Sequence, residues 1–585
     1  EYTRAISLVI LISLLTSWVV AMTITPVLCR RFLRTPAPGG APARGAERLF
    51  EALGPLYASA LRRTLRYRWL FLAAMVALLG AALAGLAAAP KKFFPDSDRT
   101  QVLVYVDLPP GVTTRTTDRR MRAIFDAVKD EARFPHVETF AGYVGFGGPR
   151  FVLSLTPIDP APNKGFMVLN VDESAHMEPT MAALRQMFRR DFPDLEARVT
   201  RMFLGPSDSS KIEVQVKGPD AEVIYATARD IEQRLAQVPG AIDLYHDWEG
   251  RLTRLSVEVD QARARRAGVS SADIARALET YFSGRPVSEF RDGDDIFPIV
   301  ARAAEAERTD VDRVKTLAVH AQGSERRVPL LQVADVELVN DWSRIAREDM
   351  ARTITVEARN ELMTAEDMVP LIADDLAEIE ARLPPGHHIE FDGVVAQSAE
   401  GRAALAANIP LCVGAMLVLL VAQFNGYARP LIILATIPLV LIGAVLGLYA
   451  SGADFGFMPI LGLYALAGIV INNAIVLIDR IDLERADGAK RDLDALVDAC
   501  ARRLRPILMT TITTILGLLP LIVFQDALFY GMASVMAGGL MVGTLLTLGV
   551  VPVLYSLAFG IRADQARAAP PTARSFGAGA AGLGT

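Results

Sequence analysis

Seven stretches of this sequence carry no Asp, Glu, Lys or Arg over a length that can cross a bilayer: Ile6–Leu28, Trp69–Ala88, Ala404–Val421, Leu431–Ala450, Phe457–Ile478, Ile507–Phe524 and Phe529–Leu557. A spanning helix needs roughly 20 apolar residues for a ~30 Å hydrocarbon core, and a charge at mid-membrane costs about 2.5–3.5 kcal/mol on insertion scales. These windows predict seven transmembrane helices. They leave one long polar region, residues 91–402, between the second and the third.

The basic residues orient the helices. The connector after the first span carries Arg30, Arg31, Arg34, Arg44, Arg48, Arg62, Arg63, Arg66 and Arg68 against only Glu47 and Glu51, which places it in the cytoplasm. Alternating from there, the Arg-bearing segment Asp479–Arg505 and the tail after Arg562 also fall inside. Ser451–Gly456 and Gln525–Leu528, which hold no Lys or Arg, fall outside with the polar region and with Glu1. No basic n-region or cleavage site precedes the first apolar run, and a chain cut from a longer protein is the expectation. Within the first connector, Pro36–Gly45 reads as a linker. Leu49, Phe50, Leu53, Leu56, Tyr57, Leu61 and Leu65 recur at helical spacing, as in an amphipathic helix lying on the membrane or packed on other protein. The end, Ala568–Thr585, is low-complexity and predicted disordered.

Composition narrows the function classes. With 51% hydrophobic and 22% charged residues, the chain mixes membrane segments with soluble ones. A net charge of −5 without a basic, aromatic-interleaved stretch argues against a nucleic-acid partner. Cys29, Cys412 and Cys500 all lie outside the polar region, so it has no disulfide framework. All six histidines lie inside it. The spans hold no Ser–His or Ser–Lys pair, no paired aspartates and no metal cluster, so a membrane-embedded hydrolase is not expected, nor is any cofactor.

The polar region alternates strands and helices. Gln101–Leu108 (strand), Thr114–Ala132 (helix), Phe151–Leu155 and Met167–Val171 (strands), Met181–Arg190 (helix) and Ala197–Leu204 (strand) give the split βαβ order. A second unit runs through Lys211–Lys217, helix Ala221–Gln237, Ala241–Asp247, Leu255–Val259, Thr353–Ala358, helix Ala365–Arg382 and His388–Asp392. Residues 257–345 form an insertion with a short helix, Ser271–Phe282, and several strands. The expected fold is an α-helical polytopic membrane protein with a large α+β domain of two ferredoxin-like sandwiches and an inserted subdomain.

Four phrases carry a family resemblance: Phe93-Phe94-Pro95-Asp96, Gln423-Phe424-Asn425-Gly426-Tyr427-Ala428-Arg429-Pro430, Gly468–Leu477 with its Asn472-Asn473, and Arg503-Leu504-Arg505-Pro506-Ile507-Leu508-Met509-Thr510-Thr511. They resemble the second half of resistance–nodulation–division (RND) exporters, a tandem duplication of one helix, a large periplasmic loop and five helices. The resemblance implies that this chain is the C-terminal half, that 91–210 and 211–256 with 346–400 are porter subdomains, and that 257–345 docks. It implies an inner-membrane permease with a large periplasmic domain, working as a homotrimer with an N-terminal half, a periplasmic adaptor and an outer-membrane channel. Export of drugs or other amphiphilic small molecules by proton antiport follows from it, with a driving force of about 2.3 kcal/mol per charge per 100 mV.

By motif position the relay residues are Asn472, Asn473, Arg503 and Thr510. Asn472 stands where the family has a lysine, and the family's paired aspartates on the fourth helix are not in this chain. Helix–helix hydrogen bonds at about 0.6 kcal/mol each would also account for the asparagines, and a membrane-face anchor for Arg503. The glycine-rich stretch Phe140–Pro149 and the following Phe151 resemble the family's loop beside its aromatic pocket, which nominates Phe140, Tyr143, Phe146 and Phe151 as substrate contacts. Core aromatics beside turn glycines would look the same. Metal-ion export by the same fold is the alternative, although Met167, Met187 and Met202 share no ligand-like spacing. A non-transporting remnant is the third reading. Gly443-xxx-Gly447 and Gly539-xxx-Gly543 are small-xxx-small patterns that permit close helix packing.

Overall fold

The structure, a computed structural model, describes residues 2–32, 46–152, 155–205, 208–308, 310–321, 326–487 and 490–561. The predicted linker Pro36–Gly45 and the tail Ala568–Thr585 lie outside the described residues. The contacts divide the chain into two compact units, one of residues 74–472 and 511–546, the other of the described residues within 1–73, 473–510 and 547–585.

Helices α1 (Tyr2–Phe32) and α2 (Ala46–Arg66) belong to the smaller unit, and α3 (Arg68–Ala88) runs into the larger, which continues with β1 (Gln101–Asp107), α4 (Thr114–Val128), β2 (Val137–Val144), β3 (Lys164–Val171), α5 (Met177–Asp191) and β4 (Glu196–Arg201). The four strands form an antiparallel sheet in the order β2-β3-β1-β4. Alternation along each strand sorts the side chains. Val102, Val104, Val106, Met167, Leu169 and Val199 pack under Met121 and Ile124 of α4 and Leu184 and Phe188 of α5. The opposite face carries Leu103, Tyr105, Phe166 and Met202 and then turns polar.

The edge strand β2 was not expected where the glycines suggest a loop. Gly142 is needed in the strand: a Cβ there would stand 2.0 Å from the Phe125 ring. Phe151 and Val152, read as the start of a strand, lie outside any strand.

The second sheet repeats the plan with β5 (Lys211–Gly218), α6 (Ala221–Leu235), β6 (Ala241–His246), and later β14 (Ala351–Asn360), α11 (Ala365–Glu380) and β15 (His388–Asp392). Its order is β6-β14-β5-β15. Asp220 caps α6 and a Thr364/Asp367 capping box opens α11. Ile212, Val214, Val216, Ile354, Val356 and Ala358 face the two helices.

Between β6 and β14 the chain leaves on β7 (Arg251–Val259) and returns on β12 (Ala334–Trp342), a two-stranded ribbon. Leu255–Val259, assigned above to the second sandwich, therefore belongs to this ribbon. At its base Trp248 is fully buried, donates from Nε1 to the Thr353 carbonyl at 2.7 Å, and packs edge-on to Trp342. The ribbon carries α7 (Gln261–Ala267), α8 (Ser271–Phe282), hairpin β8 (Arg285–Asp292) with β9 (Asp295–Ala301), α9 (Glu305–Arg308), α10 (Val311–Lys315), and β10 (Ala318–His320) paired with β11 (Arg327–Pro329). A two-residue strand, β13 (Arg347–Glu348), pairs with β14.

Among the described residues six helices are long and apolar enough to cross a membrane: Leu8–Phe32 of α1, then α3, α12 (Gly393–Phe424), α15 (Phe457–Ala486), α16 (Asp492–Val523) and α17 (Tyr530–Ala558). The predicted span Leu431–Ala450 is broken instead into α13 (Ala428–Leu434) and α14 (Val440–Ser451). Pro438 has no N–H to continue the ladder, and residues 435–439 run as turns. In the smaller unit, Leu61 and Leu65 of α2 are buried and Tyr57 donates to the Leu548 carbonyl at 2.8 Å. Packing on protein accounts for the C-terminal part of that face, while Leu56 is exposed.

The Phe93-Phe94-Pro95-Asp96 phrase braces the exit of α3 against the start of α15. Phe94 stacks on Phe457 with centroids 5.6 Å apart, and the Phe457 N–H donates to the Phe93 carbonyl at 3.0 Å. Close helix packing falls at Gly443 and Gly447 of α14 against α17. A Cβ on Gly447 would stand 2.5 Å from the Ser534 carbonyl oxygen, and one on Gly443 2.7 Å from that of Gly538. Backbone cannot move aside as a side chain can. Gly447→Val is expected to destabilise by about 1–3 kcal/mol or more, whereas Gly414→Val, where a Cβ meets nothing within 4 Å, leaves thermal unfolding in detergent nearly unchanged.

Candidate functional site: an ionic cleft between the two sandwiches

The strand faces turned away from the helices carry the charges. On the first sheet these are Asp107, Lys164, Glu196 and Arg198; the antiparallel register sets Asp107 opposite both Lys164 and Glu196, and Arg198 opposite Tyr105. On the second sheet Glu213 and Tyr245 flank Glu357, with Lys211 opposite Arg359. The two faces meet, and the charges join into one network.

Lys164 Nζ lies 3.1 Å from Asp107 and 2.6 Å from Glu249, and the lysine side chain is only 2% exposed. Asp107 also accepts from Arg198 at 2.9 Å. The Arg198 guanidinium stacks 3.8 Å above the Tyr245 ring and reaches Glu357 at 3.9 Å. Lys211 bridges Glu357 at 3.1 Å and Glu213 at 2.6 Å. Arg359 closes the far end on Asp208 at 2.9 Å and Asp243 at 3.3 Å.

Four cations thus face six carboxylates. Burial disfavours a charged carboxylate. At Glu357 and Asp208 it is overcome, by Lys211 and by Arg359 respectively, and both carboxyls stay below their usual range. At Glu213 burial outweighs Lys211, and at Asp243 it outweighs Arg359, so both are pushed up. The cleft is short of positive charge.

Its two ends line separate cavities. One, of about 270 Å³, is bounded by Asp107, Lys164, Glu196, Tyr245, His246 and Glu249, with Asp194 and Glu232 at its wall. His246 Nδ1 is buried with no hydrogen-bond partner among the described residues, and burial lowers the imidazole pKa, keeping it neutral. The other, of about 810 Å³, is lined by Asp96, Glu178, Arg185, Asp208, Arg359 and Asp454 among others. Neutral imidazole and carboxylate oxygens are the donors that zinc-class divalent ions take.

The nominated aromatics do not form one pocket. Phe140 lies on the helix side of β2, 5.7 Å from Phe125, within the first core. Tyr143 lies on the other face, stacked on Phe166 and edge-on to Phe146. Phe146 and Phe151 are 39% and 40% exposed. Among the motif residues of the helices, Asn472 is exposed and Asn473 and Arg503 are half-buried. Thr510 donates to the Ile507 carbonyl at 2.9 Å within its own helix, while its neighbour Thr511 is 2.9 Å from Thr544 of α17. None of the cleft charges was singled out from the sequence. The available signal was Lys211-x-Glu213 and Glu357-x-Arg359, ion pairs at alternate positions of otherwise apolar strands.

A family profile described as the AcrB/AcrD/AcrF family matches residues 2–559. The chain belongs to that family. Its described residues carry six helices long and apolar enough to cross a membrane, as such an RND-type chain requires. It is 26% identical over 486 residues to the cation efflux system protein CzcA of Alcaligenes sp. (strain CT14), covering 80% of this chain and 45% of the relative. The cobalt-zinc-cadmium resistance protein CzcA of Cupriavidus metallidurans matches to the same extent. Crystal structures of a heavy metal efflux pump in two forms superpose with a TM-score of 0.70 at 25% identity, over 88% of this chain and 53% and 52% of theirs. The chain thus spans less than half the length of these curated relatives.

Removing one partner from a buried ion pair strands the other. Lys164→Met is expected to cost about 3–5 kcal/mol in denaturant unfolding of the purified chain, because Asp107 and Glu249 lose their shared cation. Loss of the exposed Arg122–Asp118 pair by Arg122→Ala is expected to leave the midpoint almost unmoved.

Proposed function

We propose that this chain is part of a metal-ion export permease and that the ionic cleft is the cation's path. The observation that carries this reading is the shortage of positive charge between the sandwiches, six carboxylates against four cations, beside a cavity holding a neutral His246. A divalent ion entering there meets Asp107, Glu196 and Glu249, with His246 in the same lining. An apolar drug would have to desolvate the same charges and gain nothing for it. The expectation of amphiphile export gives way on this chemistry, and relatives named for cation and cobalt-zinc-cadmium resistance point the same way.

In this reading the chain supplies the second half of the permease, with the polar region in the periplasm. Another half contributes the acidic relay groups, and the assembly is a trimer joined to an adaptor and an outer-membrane channel. Proton antiport drives it, through a relay that includes Asn473, Arg503 and Thr510 and in which Asn472 replaces a cation. Phe140, Tyr143, Phe146 and Phe151 stay the proposed contacts of the amphiphile reading, which Phe146 and Phe151 favour by their exposure.

The test is metal tolerance in an efflux-deficient bacterial host that expresses the chain within its complete permease. Tolerance to zinc, cobalt or cadmium should rise several-fold, dye export should not change, and Glu249→Gln with Asp107→Asn should abolish the gain. Raised tolerance to lipophilic dyes with no change for any of the three metals contradicts the reading.

A further inference from the structure

A second group of metal-type ligands sits at the other end of β3, roughly 23 Å along the strand from Lys164 at about 3.3 Å per residue. His136 precedes β2, Asp172 follows β3, and His176 stands just ahead of α5. Both imidazoles aim the same nitrogen at one carboxylate: His136 Nδ1 is 3.0 Å from Asp172 Oδ2, and His176 Nδ1 is 2.8 Å from Asp172 Oδ1. The rings stack with centroids 3.6 Å apart and 19° between planes.

The backbone fixes this arrangement before any ion arrives. Val137 pairs with Val171 as the last rung of the β2–β3 ladder, and one residue outward the Asp172 N–H donates to the His136 carbonyl at 3.1 Å. The Glu173 N–H donates to Asp172 Oδ1 at 2.7 Å, and the His176 N–H to the Glu173 carbonyl at 3.1 Å. Side-chain exposures of 36%, 34% and 32% leave the three heads reachable from water.

We propose that His136, Asp172 and His176 form a zinc-class divalent-metal site on the outer edge of the first sandwich, separate from the cleft. The three ligand atoms lie within 4.8 Å of one another. A tetrahedral ion with bonds of about 2.0–2.1 Å holds its ligand atoms roughly 3.3 Å apart, so the two nitrogen–oxygen spacings of 3.0 and 2.8 Å need to open by only a few tenths of an ångström. The ion displaces the proton from each Nδ1, to Nε2 or to solvent, and water completes the fourth position. Asp172 turns from acceptor of two imidazole hydrogen bonds into a ligand. Stacked imidazoles that would repel each other when both protonated are held together by the cation instead.

This site rests on its own geometry and not on the export reading: an exporter of amphiphiles could carry it equally. Co²⁺ and Zn²⁺ binding to the purified full chain in detergent is the test, read by the d–d absorption of Co²⁺, by metal stoichiometry and by competition for Kd. The wild type and two controls, His387→Ala/His388→Ala and the cleft variant Asp107→Asn/Glu249→Gln, should all retain the Co²⁺ spectrum of this site. His136→Ala/His176→Ala should lose one equivalent while keeping its elution profile. Asp172→Asn should weaken Zn²⁺ at least tenfold, as should lowering the pH from 7.5 to 5.5. X-ray absorption at the zinc edge of the wild type should show imidazole scattering, which keeps the test decisive if the double variant does not fold. Unchanged stoichiometry and affinity in the folded double variant, or zinc without imidazole ligands in the wild type, overturns the proposal. Loss of metal at the cleft variant alone would bear on export and leave this site standing.

Discussion

The chain of ion pairs from Lys164 through Asp107, Arg198 and Glu357 to Lys211 joins the two sandwiches face to face. Each sandwich has its own helix-backed core, so neither needs the other to bury apolar surface. What they share is a desolvated charged seam, where each group is affordable only while its partners stay in place. Such a seam is a poor glue and a good switch. Separating the sheets re-exposes charges to water, and inserting an external cation changes the balance directly. In the proposed export cycle, opening and closing this cleft would reorganise charges carried on the strands themselves.

The polarity of the seam supports the proposed small cation. The cavity beside His246, about 270 Å³, lies at the low end of volumes that hold drug-sized ligands. Its walls present Asp107, Glu196, Glu232 and Glu249 beside Tyr245 and His246. The aromatic residues of β2 are divided by strand alternation between the two sides of the sheet, with Phe140 drawn into the core against Phe125. Divided in this way, Phe140 and Tyr143 do not share one face of the sheet.

Much of the architecture is legible in the sequence because each signal has one cause. Charge-free windows read as helices because lipid excludes charge, and the two sandwiches read from the alternation of Val, Ile and Met against polar residues. The misreadings have physical reasons as well. Gly142 and Gly145 mimic a loop, yet Gly142 is in a strand because Phe125 fills the space of its side chain. Leu431–Ala450 is apolar throughout, yet Pro438 breaks it. The cleft was not legible: its charges lie far apart in sequence, from Asp107 to Arg359, and only strand register brings them together. His136, Asp172 and His176 share that property, since a β-ladder rung and a helix start set their distances.

The central claim is that the cleft takes a metal cation. Anomalous X-ray diffraction from crystals of the protein grown with Cd²⁺ tests it most directly. An anomalous peak is expected among Asp107, Glu249 and His246, with Lys164 swung away from the carboxylates it now bridges. A cleft with no anomalous peak at saturating Cd²⁺, and with Lys164 still on Asp107 and Glu249, would contradict it.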